Sequence, residues 1–379
     1  MDTFLDLVGK ELKKDRKFLP NDINYTLRFK ENEKSYASLW FRTRGCWYSR
    51  NGGCTMCDYF ISEIISEEDI FSCFCQGFNQ LEKEPNLMVI MTSGSFFDPG
   101  EVPPRVRVQI YEKLAKLQKT IIVFETHANT INEEILDECL RYFPPERINI
   151  EIGLESSDEW VRKFCVNKNI SNKQLEESFR LMNKKGIQIN ANIVIGIPFL
   201  SVKENIEHAT ESIKWAFKNG VAQCSLFPVN IKPYTLVQWM YERGLYEQLP
   251  LWALIDVLSR VRKPFLPRVN INWYKKSPPL ENPLYKKPII GTDTCDNCYI
   301  KVIDLVDTFF LGDVDRKYIL DQLNEIHCTC RDKYIQNYNM SATNSLKERV
   351  EQYYQTISVE LFGKESWREK GSKVTLDLE

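Results

Sequence analysis

Several things are missing from this chain of 379 residues. No run approaches the roughly 18 apolar residues that a membrane span needs. The N-terminus, "MDTFLDLVGKELKKDRKFL", lacks the apolar h-region of a signal peptide and reads as an amphipathic charged helix. A cytoplasmic location is therefore expected. Net charge is nearly missing too: 50 Lys and Arg against 52 Asp and Glu leave −2, so the chain carries no global nucleic-acid signature. It has no internal repeat and no low-complexity tract. What remains, 43% hydrophobic and 27% charged, is ordinary globular composition, long enough for one large domain and a small one.

Cysteine is what the chain does have. Twelve of them in a chain of this kind argue for metal or catalysis rather than disulfides. Three crowd into "RTRGCWYSRNGGCTMCDYF": Cys46, Cys54 and Cys57. Three is odd for a disulfide framework and one short of a closed tetrahedral site. A cubane iron–sulfur cluster normally takes four thiolates. Three from one loop leave one iron without a protein ligand, where a small molecule can chelate. A structural zinc knuckle with a remote fourth ligand is the competing reading. Gly45, Gly52 and Gly53 suit a loop that must adopt positive φ and pack closely around a centre.

A second group comes late, in "TCDNC" and "HCTC". Cys295, Cys298, Cys328 and Cys330 supply four thiolates, enough for a closed structural zinc in a small C-terminal domain. A second iron–sulfur cluster is the alternative, and His327 is a substitute ligand. Cys73, Cys75, Cys139, Cys165 and Cys224 fall in helix or strand patterns and read as packed thiols.

From residue 35 the patterns alternate. Apolar strand runs such as "NLMVIMTSG", "TIIVFETH", "RINIEIGLE" and "IQINANIVIGIP" are each followed by a helical segment. Ser66 is a plausible N-cap, prolines open the helix at "PPRVRVQIYEKL", and Gly186 closes another. Six βα units in succession predict a parallel sheet covered by helices. An open doubly wound sheet and a partial barrel both satisfy the pattern. In either, chemistry sits at the C-terminal strand ends, which is where the cysteine loop follows the first strand. The divisions expected are an N-terminal helical extension (1–34), the βα array (35–263), a basic proline-rich linker (264–290), and a four-cysteine domain with a helical tail (291–379).

The triad after the first strand of a six-fold βα array resembles the radical S-adenosylmethionine (SAM) superfamily. The spacing Cys46-x7-Cys54-x2-Cys57 is wider than its usual three-then-two, but longer first spacers occur in its Elongator-catalytic-subunit-like branch. "MTSGSFFDPGEVP", "EIGLES", "PFLSVKENIEHATESI", "FPVNIKPYTLV" and the late "CDNC" and "CTC" are similar to the RaSEA family of archaeosine-biosynthesis radical SAM proteins, across most of residues 35–335. The resemblance implies a partial (β/α)6 TIM-like barrel of the radical SAM type. It implies a 4Fe–4S cluster on Cys46, Cys54 and Cys57 whose open iron binds SAM. It also implies a 5′-deoxyadenosyl radical that abstracts hydrogen from the substrate, with the protein supplying placement and exclusion of water. The substrate would be a lysine adduct on a deazaguanine base in tRNA. An ArcS-like partner protein would make the adduct, and cleavage of the lysine carbon–nitrogen bond would leave archaeosine. A radical SAM enzyme for a small molecule or peptide, and a non-catalytic zinc-stabilised RNA-binding protein, are the alternatives.

The resemblance also implies where SAM lies. Ser93, Gly94 and Ser95, with Asp98 as an acceptor, occupy the place that holds the SAM amino group in relatives. Glu125 is a strand-end carboxylate able to accept from an ammonium or ribose hydroxyl, and His127 beside it reads as a bland surface residue, with a proton donor as the alternative. Glu155 and Ser156 stand where the ribose is commonly touched. Arg162 can meet a carboxylate with its planar fork, or be an exposed helix arginine. Asn192 and Asn230 are strand amides that need partners if buried. Finally, Arg260, Arg262, Lys263, Arg268, Lys275, Lys276, Lys286 and Lys287 lie near Phe265, Trp273, Tyr274 and Tyr285, with Glu281 the single acid. That strip reads as a solvated linker or as a phosphate-tracking surface for tRNA.

Overall fold

The computed structural model describes residues 2–15, 25–31, 35–59, 65–276, 289–340, 344–368 and 378. Helix α1 (Phe4–Lys13) precedes strand β1 (Tyr25–Glu31) and β2 (Ser35–Phe41). The cysteine loop follows, with a single turn α2 (Trp47–Arg50), then α3 (Glu67–Phe78). Next come β3 (Leu87–Met91), α4 (Pro104–Leu114), β4 (Ile121–Thr126), α5 (Glu133–Leu140) and β5 (Ile148–Glu155). After α6 (Glu159–Phe164) and α7 (Asn172–Lys184) come β6 (Gln188–Ile195), α8 (Val202–Lys218) and β7 (Gln223–Pro228). Helices α9 (Leu236–Tyr241) and α10 (Leu251–Arg260) precede a short β8 (Val269–Ile271). Four helices finish the described chain: α11 (Asp296–Leu311), α12 (Arg316–Asn324), α13 (Thr329–Asn339) and α14 (Leu346–Phe362).

Local chemistry sets these boundaries. Ser66 caps α3 by accepting from the Asp69 amide, and Pro104 opens α4 where a missing N–H is no loss. Ser171 and Ser201 form capping boxes with Gln174 and Glu204. Gly186 and Gly220 follow α7 and α8 with φ of 73° and 82°, values at which a Cβ is strained.

Strand order decides between the two architectures left open above. It runs β1 to β8 without a skip, with β1 antiparallel to β2 and seven parallel strands from β2 onward. A doubly wound sheet reverses its order at a switch point. This one never does, so its helices stay on one face and the sheet curls into a half-barrel. Helix-facing side chains such as Leu39, Ile90, Phe124, Ile150 and Ile193 are buried in one core with those helices. The alternate side chains face the lumen and are only part-buried, which is why β2 and β3 alternate between buried and half-buried positions.

Two strands were not foreseen. Residues 25–31, expected in a helical extension, form the antiparallel edge strand β1. Val269–Ile271, expected beyond the array, extends the parallel sheet to a seventh strand. A second apolar core lies over the C-terminal strand ends. It joins α1, α9 and α14 to residues of the loops after β5, β6 and β7, with Cys54 and Met56 packed against it. Among the described residues no helix is long and apolar enough to cross a membrane.

Candidate active site

The cysteine loop leaves β2 at the mouth of the half-barrel. Gly45, Gly52 and Gly53 have φ of 81°, 117° and 77°, as their placement among cysteines implied. Gly52 also meets α1 backbone to backbone: a Cβ on Gly9 would lie 2.2 Å from the Gly52 carbonyl oxygen. Lys13 Nζ donates to that same oxygen at 2.8 Å. Asn167 Nδ2 donates to Gly53 O at 2.9 Å and to Asp6 Oδ1 at 3.0 Å. Thr55 anchors the far side, its amide and hydroxyl donating to Val166 O (3.0 Å) and Cys165 O (2.8 Å). The N-terminal helix, which looked like a bare extension, is thus part of the loop's support.

The loop after β3 approaches from the other side. A Cβ on Gly94 would meet Cys46 Sγ at 2.8 Å, so only glycine allows this contact. Glu101 fixes it. Its carboxylate is fully buried and accepts from Gly94 N (3.0 Å), Ser95 N (2.8 Å) and Thr43 Oγ1 (2.8 Å). Burial pushes this carboxyl up to about 7, against the pull of those donors.

The three cysteines are half-buried, and that burial raises their thiols. Burial raises Cys46 to about 12, with Glu101 adding to the shift. Burial raises Cys54 and Cys57 as well, and Lys168 and Lys232 respectively pull them back. Such thiols become thiolates when a metal centre binds them. Three cysteines on one loop, flanked by lysines and with no disulfide in the chain, have the donor chemistry of a three-ligand iron–sulfur site.

Lys168 arrives over Gly153, donating to its carbonyl at 2.7 Å and to Glu155 Oε1 at 2.8 Å. A β-bulge between Gly153 and Glu155, with Glu155 at φ 62°, turns that carboxylate towards the lysine. Burial opposes the Lys168 charge, but Glu155 and Cys54 outweigh it and its pKa rises. Lys232 pairs with the fully buried Asp58 at 3.3 Å and lies 4.9 Å from the Trp273 ring and 5.2 Å from Tyr59.

The lumen wall below is polar. Glu125 and Glu151 stand opposite one another across β4 and β5, and Glu151 opposite Asn190 across β5 and β6. Burial raises both carboxyls, and for Glu125 the neighbouring Glu151 and Glu101 raise it further. Asn190, Asn192 and Asn230 each keep a buried side-chain oxygen without a hydrogen-bond partner. His127 is held neutral, burial taking its pKa down to about 3.

Other residues expected to touch SAM have partners within the fold. Arg162 is fully buried and donates to Ser156 O, to Ile170 O at 2.8 Å and to Asn172 Oδ1 at 2.7 Å, so it ties the α6–α7 corner together. Ser156 Oγ accepts from the Asp158 amide, and the Gly94 and Ser95 amides go to Glu101. The Ser95 hydroxyl is shared with Thr126 and Thr130, Ser93 is buried, and Asp98 holds its own turn through Gly100 N. Sequence reasoning missed Glu101, Lys168, Lys232 and Asn167. Each acts through groups that only the folded loop brings to it, and no local pattern marks them.

Part of the basic strip is paired within the fold, and Arg262 and Lys263 are exposed. Arg260 pairs with Asp256, Lys275 with Asp307, and Lys276 with Asp293 and Asp296. Arg268 donates to the Val221 and Ala222 carbonyls. Phe265 stacks on Phe217 and Tyr274 is buried, so these rings are packing and not a platform for bases. Glu281, Tyr285, Lys286 and Lys287 lie outside the described residues. The late cysteines do converge: Cys295, Cys298, Cys328 and Cys330 bring their sulfurs within 4.8 Å of one another, while His327 is exposed.

No family model matches the chain. It is 29% identical over 276 residues to archaeosine synthase subunit beta of Methanosarcina acetivorans, covering 72% of this chain and 77% of that one. It is 26% identical over 299 residues to archaeosine synthase subunit beta of Thermococcus kodakarensis, covering 77% and 88%. An uncharacterized protein of Methanocaldococcus jannaschii is 31% identical over 233 residues, or 59% of this chain, which spans 63% of that relative's length.

Proposed function

We propose that this chain is a radical SAM enzyme of tRNA base modification, cleaving the carbon–nitrogen bond of a lysine adduct on a deazaguanine to leave archaeosine. The observation that carries the reading is the half-buried cysteine triad at the mouth of a polar-lined half-barrel. The printed names of the two synthase subunits support the substrate, and "subunit" supports a partner chain such as an ArcS-like protein. Cys46, Cys54 and Cys57 would hold the 4Fe–4S cluster. Such a cluster, when bound and reduced, would supply the one electron needed for reductive cleavage of SAM.

The chain's own residues place and protect that chemistry. Lys168 and Lys232 balance thiolate charge beside Cys54 and Cys57. Glu101 holds the Ser93–Ser95 turn against Cys46. Glu125, Asn192 and Asn230 face the lumen with acceptor oxygens for SAM and substrate, whereas Glu155 is already committed to Lys168. Helices α1 and α14 close the apolar side of the loop against water.

A second reading, a radical SAM enzyme for a small molecule or peptide, draws support from the internally paired basic strip. One experiment separates the two. Protein reconstituted anaerobically with iron and sulfide is given SAM, a reductant and tRNA carrying the lysine adduct. Brown protein, release of 5′-deoxyadenosine and conversion of the tRNA base are expected, and Cys46→Ala, Cys54→Ala or Cys57→Ala abolishes all three. Release of 5′-deoxyadenosine without base conversion favours the second reading. Colourless protein carrying zinc alone ends both.

A further inference from the structure

We propose that Cys295, Cys298, Cys328 and Cys330 bind one zinc ion that clamps α11 and α13 onto α10 at the free edge of the half-barrel, with Trp252 as hydrogen-bond donor to one thiolate.

The sulfur geometry is that of one metal. Cys295 Sγ lies 3.6 Å from Cys298 Sγ and 3.3 Å from Cys328 Sγ, and Cys298 Sγ lies 3.5 Å from Cys330 Sγ. A tetrahedron with zinc–sulfur bonds of about 2.3 Å has edges of about 3.8 Å. Disulfides need about 2.05 Å, and none forms. Thiolates around a cubane each bind a different iron and stand farther apart, so the second cluster left open by the sequence fits less well.

Both pairs sit at helix starts. Cys295 is the N-cap of α11 and Cys328 of α13, and neither side chain caps its helix. Cys298 and Cys330 lie in the first turns. Helices of 16 and 11 residues therefore aim their positive ends at four sulfurs. A zinc tetrathiolate carries two negative charges, and these dipoles favour it. A third element adds a donor. Trp252, at the start of α10 and 2% exposed, gives its indole N–H to Cys330 Sγ at 3.2 Å. Second-layer donors of this kind orient and tune a metal's ligands.

The location says what the ion does. Among the described residues β8 pairs only with β7, so its outer side is the sheet's free edge. Helix α12 reaches that edge. Arg316 donates to the backbone carbonyl of Val269 at 2.7 Å and to the Asn270 side-chain Oδ1 at 3.0 Å, giving the Val269 carbonyl a partner without a further strand. Leu251 N donates to Asp293 O at 2.9 Å, and Thr292 Oγ1 to Leu249 O at 2.6 Å. The chain returning to the cysteines is thus stitched to α10. These helices share the barrel's apolar core. The ion would lock an edge of the barrel and not a separately folding unit.

The test uses full-length protein and does not rest on the radical reading. The Cys46→Ala/Cys54→Ala/Cys57→Ala variant, purified without added metal, should hold one zinc per chain and no iron. Exchanged into cobalt(II), it should show the intense visible bands of a tetrahedral cobalt–thiolate site. Trp252→Phe should shift its thiolate-to-cobalt charge-transfer band. Cys295→Ser/Cys298→Ser should lose the zinc. Iron retained by the triple variant would mean a second cluster and overturn the assignment. So would a metal-free chain whose four late thiols alkylate freely, and so would full zinc in the serine pair. An unmoved charge-transfer band in Trp252→Phe removes the clamp to α10.

Discussion

Cys46, Cys54 and Cys57 sit on one loop, their sulfurs outside the 4.8 Å group, with lysines as their nearest counter-charges. Cys295, Cys298, Cys328 and Cys330 sit on two helix starts with sulfurs 3.3–3.6 Å apart. Three ligands around a larger centre leave a position for a small molecule, and four around one ion leave none. On the two proposals above, the same side chain would serve chemistry in one place and shape in the other. The difference lies in backbone: a glycine loop braced from outside, against helix termini that bring their own dipoles.

The largest effects should separate the groups cleanly. Cys54→Ala should abolish 5′-deoxyadenosine release and the iron–sulfur absorbance while leaving zinc and the melting transition nearly intact. Cys298→Ala should keep the cluster absorbance but lose zinc and lower stability by about 4 kcal/mol or more, as loss of a structural metal does. Metal analysis and calorimetry on both variants check this. Loss of both metals in either single variant would merge the two regions into one.

Next in size is the lysine beside the triad. Lys168 and Glu155 form a pair with side chains only 6% and 17% exposed. Removing one partner strands a charge, at about 3–5 kcal/mol. Lys168→Met should destabilise by that amount in denaturant, and Glu155→Gln added to it should restore most of the loss. If the double variant is no better than the single, the pair is not what holds the bulge.

A smaller effect tests the brace. Gly9→Ala forces a methyl onto the Gly52 carbonyl, 2.2 Å away, so α1 must lift. Overpacking of this kind costs about 1–3 kcal/mol. The cluster should be lost faster in air, with zinc content unchanged. Equal cluster lifetimes would show that α1 does not support the loop.

Much of this was legible in the sequence, and the misses share a cause. Strand–helix alternation, the caps at Ser66 and Pro104, the positive φ of Gly45, Gly52 and Gly53 and the meeting of the late cysteines all follow from local pattern. Strand β8 has three residues among basic ones, and α13 buries only Tyr334, so neither offers a period to read. The strip from Arg260 looked free because its acids stand elsewhere: Asp307 lies 32 residues beyond Lys275. Arg162 was misjudged and Glu101 missed although most of their partners are near in sequence, because a buried charge is explained only by the groups it meets in space.

The smallest effect concerns acid, which weakens both metal sites and so blurs the comparison. His127 offers a way to subtract a contribution that belongs to neither. Burial takes its pKa down to about 3, whereas an unfolded histidine titrates near 6.5. Between those values the unfolded chain binds a proton that the native chain refuses. Stability is therefore full above about pH 6.5 and falls as pH drops towards 3. His127→Gln, which cannot take that proton, should lose less stability than the wild type between pH 7 and pH 5.5, with iron and zinc contents equal in the two proteins. His327→Gln is the control, because that ring is exposed. Denaturant titrations at the two pH values read the difference. Identical losses in the wild type and His127→Gln would place the acid sensitivity in the cysteine sites alone.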